Sequence, residues 1–254
     1  MQRPRVIPSI LVNRRRCEKT QNFKDPIYLG DIHNVIKIFN DLEVDEIIIT
    51  DYTTESPDLE LLKDLSSEAF MPMSYGGGIK SIEDVENIIK LGFEKISVNT
   101  LLLTNPLEVR EIVKNFGSST VIGSVDIKKN LFGKDKIFNT KVTDAKKRDL
   151  KDYIKSIEDL GVGEILITFV DNEATLEGPY DGDLNILSSS STVPMLYNGG
   201  IGSLADMKYI LNETHFSGVV CGAYFVLNGK LRSPLISYLN EEEMASLISD
   251  KILR

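Results

Sequence analysis

The 254-residue chain has no tryptophan, two cysteines and two histidines, and its 29 basic residues fall short of its 38 acidic ones. Two cysteines cannot staple a chain of this length, which excludes a disulfide scaffold. Cys17 and Cys221 are isolated, and His33 and His215 have no metal-ligand company, so neither a metal site nor a cofactor is expected. A formal net charge of −9 repels a phosphate backbone, and nucleic acid is not an expected partner. Long apolar runs are also missing. The stretch from Val6 to Val12 has arginines on both sides and is far too short to span a bilayer, so no signal peptide, anchor or membrane partner is expected, and a cytosolic location is. With 42% hydrophobic residues, the chain is not a disordered one.

Short runs rich in Val and Ile are what the chain does have. Eight of them, at residues 5–12, 46–51, 72–75, 95–99, 120–127, 164–171, 193–198 and 217–221, read as strands. Between them lie stretches of helical spacing, among them 32–42, 81–91, 106–116, 150–160 and 204–211. Strict alternation implies parallel strands joined by crossovers, and eight such units close into one (β/α)8 barrel over residues 1–254. The halves echo each other. Pro-Met-Ser-Tyr-Gly-Gly-Gly-Ile from Pro72 recurs as Pro-Met-Leu-Tyr-Asn-Gly-Gly-Ile from Pro194, and Val-Asp-Glu-Ile-Ile-Ile-Thr from Val44 recurs as Val-Gly-Glu-Ile-Leu-Ile-Thr from Val162. Val-Ile-Pro-Ser-Ile-Leu from Val6 matches Val-Ile-Gly-Ser-Val-Asp from Val121. Near-constant spacing of about half the chain indicates two half-barrels.

In such barrels the residues just after each strand carry the function. Gly77 and Gly78 follow strand three, and Gly199 and Gly200 follow strand seven. Glycine lets backbone N–H groups approach an anion, and the next segments open helices whose N-termini favour negative charge. One strand later stand Asn99 and Thr100, and Gly222 and Ala223. Either glycine pair alone reads equally well as a turn. Their symmetric placement points to two phosphate cradles and to a long ligand with a phosphate at each end.

These residues resemble the HisF family, the cyclase subunit of imidazole glycerol phosphate synthase, with the isomerase HisA as a cousin. The resemblance runs nearly end to end, through Arg5-Val-Ile-Pro, Tyr75-Gly-Gly-Gly-Ile, Lys95-Ile-Ser-Val-Asn-Thr, Ser124-Val-Asp-Ile-Lys and Asn198-Gly-Gly-Ile-Gly. It implies a lyase-type cyclase subunit of a glutamine amidotransferase complex. Ammonia from a HisH-like glutaminase partner enters at the bottom of the barrel and meets a phosphorylated small-molecule ligand at the top. The family's cyclase uses two carboxylates, on strands one and five, as general acid and base. Strand five keeps Asp126; on strand one the aligned position is Leu11, which carries no proton.

The bottom gate of the family resembles Arg5, Glu46, Lys95 and Glu164, each at the start of its strand. Buried charges are stable only when paired, and two of each sign make a neutral ring. Residues 13–31 are long enough to act as a lid. Within them Lys19 resembles the family's substrate-contacting lysine, and Arg14, Arg15 and Arg16 add candidate anion contacts. Asp51, Asp171 and Thr175 also fall on family positions near substrate, but between the last two this chain reads Asn-Glu-Ala where the family usually has Arg-Asp-Gly. Residues 131–138 resemble the family's hairpin after strand five.

Leu11 and the ending Gly-Lys-Leu-Arg-Ser-Pro-Leu-Ile-Ser-Tyr over 229–238 resemble the HisF-like branch of surface-polysaccharide gene sets, associated with acetamidino sugars. There the barrel is thought to supply ammonia to a sugar amidotransferase that amidinates an N-acetyl sugar. Two other readings stand beside it: a histidine-pathway cyclase that tolerates Leu11, and a non-catalytic scaffold that binds a bisphosphate.

Overall fold

The computed structural model describes residues 4–229 and 231–247. All eight expected strands form: β1 (Val6–Asn13), β2 (Ile47–Asp51), β3 (Met73–Gly76), β4 (Lys95–Val98), β5 (Val121–Lys129), β6 (Glu164–Phe169), β7 (Met195–Asn198) and β8 (Gly218–Cys221). They pair in parallel in chain order, and β8 closes onto β1 with Val6 opposite Val219 and Pro8 opposite Cys221. The result is a closed (β/α)8 barrel. Around it run α1 (Ile32–Asp41), α2 (Leu59–Glu68), α3 (Ile82–Lys90), α4 (Pro106–Phe116), α5 (Leu150–Glu158), α6 (Leu184–Ser188), α7 (Leu204–Glu213) and α8 (Glu241–Ser246). Helix α1 shows why they pack: Ile32, Val35, Ile36 and Phe39 are buried, which is one face of a 3.6-residue period.

Alternation along each strand sends every second side chain to the barrel axis. Ile7, Ile48, Ile122, Leu166, Leu196 and Val220 meet there as an apolar cluster of their own, apart from the larger core between sheet and helices. Two residues earlier on the same strands stand Arg5, Glu46 and Glu164, and two residues later stand Ser9, Thr50, Ser124 and Thr168. From bottom to top the axis therefore passes from charge through hydrocarbon to hydroxyl.

Residues 13–31, long enough to act as a lid, form a β-hairpin. Strand β1 continues into an antiparallel pairing of Arg16–Gln21, which pairs in turn with Lys24–Asp31. Two-residue turns make this compact. Arg14 and Arg15, at φ 47° and 68°, join Asn13 to its partner Arg16, and Asn22 and Phe23, at 53° and 62°, join Gln21 to Lys24. Paired positive φ values match the right-handed twist of the strands they connect. The expected hairpin after strand five is present, with Asp126 opposite Phe138 and Lys129 opposite Asp135.

The half-barrel echo extends to backbone angles. Gly77 and Gly78 have φ of 139° and 62°, and Gly199 and Gly200 have 133° and 79°. A Cβ on Gly78 would stand 2.6 Å from the Ser56 backbone nitrogen, and one on Gly200 would collide with the Gly178 carbonyl. Gly78→Ala and Gly200→Ala are each expected to destabilise the fold by roughly 2 kcal/mol or more. Urea unfolding midpoints check this, and a change below about 0.5 kcal/mol in either variant would contradict the tight-approach geometry.

Candidate functional site

A cavity of about 600 Å³ opens at the C-terminal ends of the strands. Leu11, Lys19, Asp51, Asp126 and both glycine pairs line it, together with Asn99, Thr100, Gly222 and Ala223. The helices that follow the glycines do not offer free N-termini, contrary to expectation. Ser81 and Ser203 cap α3 and α7, and the carboxylates of Asp84 and Asp206 accept the Lys80, Ser81 and Gly202 N–H groups. The uncapped first turns are those of two short helices, Thr100–Thr104 and Ala223–Val226, which begin at the cavity wall with no side-chain cap. Their cap residues, Asn99 and Gly222, share an unusual backbone with ψ of −69° and −82°.

Asp126 ends a polar chain that runs through Asn99 to Asn139. Asn99 Nδ2 donates to its Oδ2 at 2.8 Å, Asn139 Nδ2 donates to Asn99 Oδ1 at 2.9 Å, and Thr100 Oγ1 is 3.2 Å from the same Asn139 nitrogen. Burial pushes the Asp126 carboxyl up to about 7, against the Asn99 hydrogen bond. Leu11 also lines the cavity, and the strand-one position contributes a hydrocarbon wall. Asn139 was missed in the sequence because it lies at the foot of a hairpin whose pairing had to be known first.

Lys19 reaches the cavity from the hairpin, and there its ammonium is taken by a residue that sequence reasoning passed over. Glu173, 3% exposed, pairs with Lys19 Nζ and accepts hydrogen bonds from Thr20 Oγ1 at 3.4 Å and Phe23 N at 3.2 Å. Burial and then the Arg232 guanidinium lower the Lys19 pKa, and Cys17 opposes them. The available signal for Glu173 was that it alone in Asn-Glu-Ala keeps the acid of the family's usual Arg-Asp-Gly. Asp171 and Thr175 do not line the cavity: Asp171 Oδ2 accepts the Lys129 N–H at 2.7 Å, and Thr175 Oγ1 donates to the Asn172 carbonyl at 3.0 Å. The arginines turn outward too. Arg15 pairs with Glu60 at 2.9 Å, and Arg16 lies 4.5 Å over the Tyr28 ring. Asp51 lines the cavity, but its Oδ1 accepts the Thr53 and Thr54 N–H groups, both at 3.1 Å. Of the ending over 229–238, Lys230 lies outside the described residues; Tyr238 there ties the chain back to β1 by donating to the Val6 carbonyl at 2.8 Å.

At the floor the four expected residues come together. Arg5 Nε and Nη2 donate to Glu46 at 2.8 and 3.0 Å, Arg5 Nη1 donates to Glu164 at 2.6 Å, and Lys95 Nζ lies 3.0 Å from Glu164. Arg5 thus bridges two carboxylates from opposite sides of the barrel. None of the four lines the upper cavity, which ends at Leu166 and Val220. Among the described residues no group of three metal-ligating side chains gathers, and no helix is long and apolar enough to cross a membrane.

Two repeated half-barrels with an ion-paired floor and a ligand-sized mouth define a (β/α)8 barrel of the class that works at the C-terminal strand ends. A family model described as "Histidine biosynthesis protein" matches residues 5–232, and the chain belongs to the HisF family. It is 40% identical over 94% of its length to a Pseudomonas aeruginosa protein, "Putative imidazole glycerol phosphate synthase subunit hisF2", of which 96% is covered. It is 35% identical over 96% of its length to the Vibrio vulnificus "Putative imidazole glycerol phosphate synthase subunit hisF3", of which 95% is covered. It is 30% identical over 88% of its length to the Alkaliphilus metalliredigens "Imidazole glycerol phosphate synthase subunit HisF", of which 90% is covered.

The floor yields a pH prediction. Burial raises the Glu164 carboxyl, but hydrogen bonds and charge from Arg5, then from Lys95, outweigh it and hold it below 4.5. A depressed carboxyl adds stability above its unfolded pKa and loses it as pH falls through the folded one. Glu164→Gln is expected to destabilise the chain by roughly 1–3 kcal/mol at pH 7, with the gap to wild type closing below about pH 4.5. Urea unfolding of both proteins at matched pH checks this; a gap that does not change with pH would contradict it.

Proposed function

We propose that this chain is a HisF-like synthase subunit that takes ammonia from a HisH-like glutaminase at its floor and passes it up the barrel for amidination of an N-acetyl sugar in surface-polysaccharide biosynthesis. The observation that carries this reading is the contrast between the two ends. The floor holds Glu46, Arg5, Glu164 and Lys95 in one ion-paired chain, whereas the mouth faces Asp126 with Leu11. Cyclisation asks one group to give a proton while another removes one. With Leu11 on strand one, half of that pair is hydrocarbon. Ammonia supply asks less: a floor that opens, an axis that rejects ions, and a mouth where an acceptor meets the nitrogen.

The six aliphatic side chains between floor and mouth suit a small neutral molecule and oppose an ion, because charge in hydrocarbon is strongly disfavoured. With Arg5 on both carboxylates the floor is shut, so passage requires its side chain to release one of them. Amidination exchanges the carbonyl oxygen of an acetamido group for nitrogen, and the sugar amidotransferase supplies the activation. The numerals in the names hisF2 and hisF3 fit paralogues of the histidine-pathway subunit. The second reading, a working histidine-pathway cyclase, draws on Asp126, which titrates near neutrality within reach of the cavity.

One set of assays separates the two. Given ammonium and the ribulosyl bisphosphate intermediate of the imidazole glycerol phosphate synthase reaction, the wild-type chain is expected to turn over at least about 10²-fold more slowly than a HisF with both carboxylates. With a HisH-like glutaminase it is expected to stimulate glutamine hydrolysis, and Glu46→Ala with Lys95→Ala to remove the stimulation. Rapid formation of imidazole glycerol phosphate by wild type would favour the cyclase, and a glutaminase indifferent to the chain would end the ammonia reading.

A further inference from the structure

Leu166 and Val220 belong both to the aliphatic cluster on the axis and to the wall of the mouth, so the cavity ends where the axis begins. Two residues further along the strands stand Ser9, Thr50, Ser124 and Thr168, and β4 adds Ser97; all five line the cavity. Leu11, level with Thr50 in the parallel pairing of β1 and β2, adds hydrocarbon to the same wall. The neck of the mouth is thus hydroxyl and aliphatic together. Ser97 and Ser124 share a hydrogen bond of 2.6 Å, and Thr168 Oγ1 accepts from Asn198 Nδ2 at 3.2 Å. Among the described residues no side chain or backbone group is bonded to the Ser9 or Thr50 hydroxyl. Charge is near the neck but engaged or set further along: Lys19 pairs with Glu173, Asp51 accepts the Thr53 and Thr54 N–H groups, and Asp126 lies two residues past Ser124. Glu18, opposite Leu11 in the hairpin pairing, accepts from Tyr52 Oη at 2.6 Å and Asn13 Nδ2 at 3.1 Å, and it does not line the cavity.

Such a neck selects by chemistry. A carboxylate or ammonium placed against Leu11, Leu166 and Val220 loses hydration for which hydrocarbon offers nothing. A bare hydroxyl uses the hydrogen bonds but leaves the aliphatic wall against water. A neutral group with a carbonyl oxygen, an N–H and a methyl uses both, since each hydroxyl can donate or accept. We propose that the neck is the seat of an acetamido group, with its carbonyl oxygen accepting from the Ser9 and Thr50 hydroxyls and its methyl against Leu11, Leu166 and Val220. The group then lies over the end of the axis, where nitrogen coming up the barrel meets it first, and the sugar and any phosphate occupy the wider mouth above. Leu11 becomes a specificity-determining residue: an acid there would put charge against the methyl and beside Glu18. This rests on the reading that an N-acetyl sugar is the acceptor, and its test uses neither glutaminase nor ammonia.

Calorimetric titration of the full chain with N-acetylglucosamine 6-phosphate and glucose 6-phosphate decides it, because the two share ring and phosphate and differ at one substituent. Wild type is expected to prefer the N-acetyl sugar by about tenfold. Leu11→Asp and Thr50→Val are each expected to cut that preference to about threefold or less, with glucose 6-phosphate bound within about twofold of wild type as the check that the mouth is intact. Leu11→Met keeps hydrocarbon at the position and is expected to keep the preference. A wild-type preference under about fivefold overturns the proposal, as does a Leu11→Asp or Thr50→Val protein that retains the full preference or a Leu11→Met protein that loses it. Wild type that binds neither sugar overturns it as well. A glutaminase indifferent to the chain ends the ammonia reading and leaves the seat standing on the binding result, whereas equal binding of the two sugars removes the seat and leaves the floor untouched.

Discussion

Closure of β8 onto β1 is the constraint that everything else obeys. Once eight parallel strands form a ring, alternate side chains from all of them converge on one narrow axis, and each must be tolerated by those opposite. Aliphatic residues solve this by packing, as Ile7, Ile48, Ile122, Leu166, Leu196 and Val220 do. Charged residues solve it only by pairing. Arg5 and Lys95 against Glu46 and Glu164 are two cations and two anions, so the floor is neutral as a unit. Removing any member leaves a half-buried charge behind. The floor is therefore stable as a whole whatever stands at the mouth, with the hydrocarbon ring between them.

That separation lets the two ends carry different chemistry. Asp126, Asn99 and Asn139 keep a polar chain at the mouth that owes nothing to the ion pairs below. Leu11 stands at the mouth without touching the floor, and being apolar it introduces no unsatisfied group.

The sequence made the strands and many of the outer helices legible, because runs rich in Val and Ile and helical spacing are local rules that survive projection onto one dimension. The floor was legible only through the resemblance to the HisF family, since a charge at the start of a strand by itself reads as a solvent-exposed one. The hairpin over residues 16–31 was harder. Its turns, Arg14-Arg15 and Asn22-Phe23, contain no glycine, so the usual signal for two positive φ values was absent and only the tertiary pairing imposes them. The short helix α6 lies among serines with no periodicity to announce it. Helix capping misled in the other direction. The segments after both glycine pairs open helices as expected, yet Asp84 and Asp206 close those N-termini, and the open turns belong to helices of five and four residues. Glu173 was passed over, since nothing in the spacing from Lys19 to Glu173 says that the two meet.

The same buried pair changes what the hairpin is. A lid that waits for substrate has few contacts of its own when empty, so that binding supplies the closing energy. Here the hairpin is already fastened: Asn22 N–H donates to the Glu173 carbonyl at 3.1 Å, Asn22 Nδ2 to the Asp171 carbonyl at 3.0 Å, Phe23 N–H to the Glu173 carboxylate, and Gln21 accepts from Arg232. With so many internal partners the closed state does not depend on a ligand, and binding at the mouth has little left to gain from closure. The exposed lysines Lys80 and Lys141 stand at the β3/β4 side, Lys141 just past the hairpin that follows β5. Of the lysines that line the cavity these two are therefore free to turn, whereas Lys19 is held by the fastened hairpin.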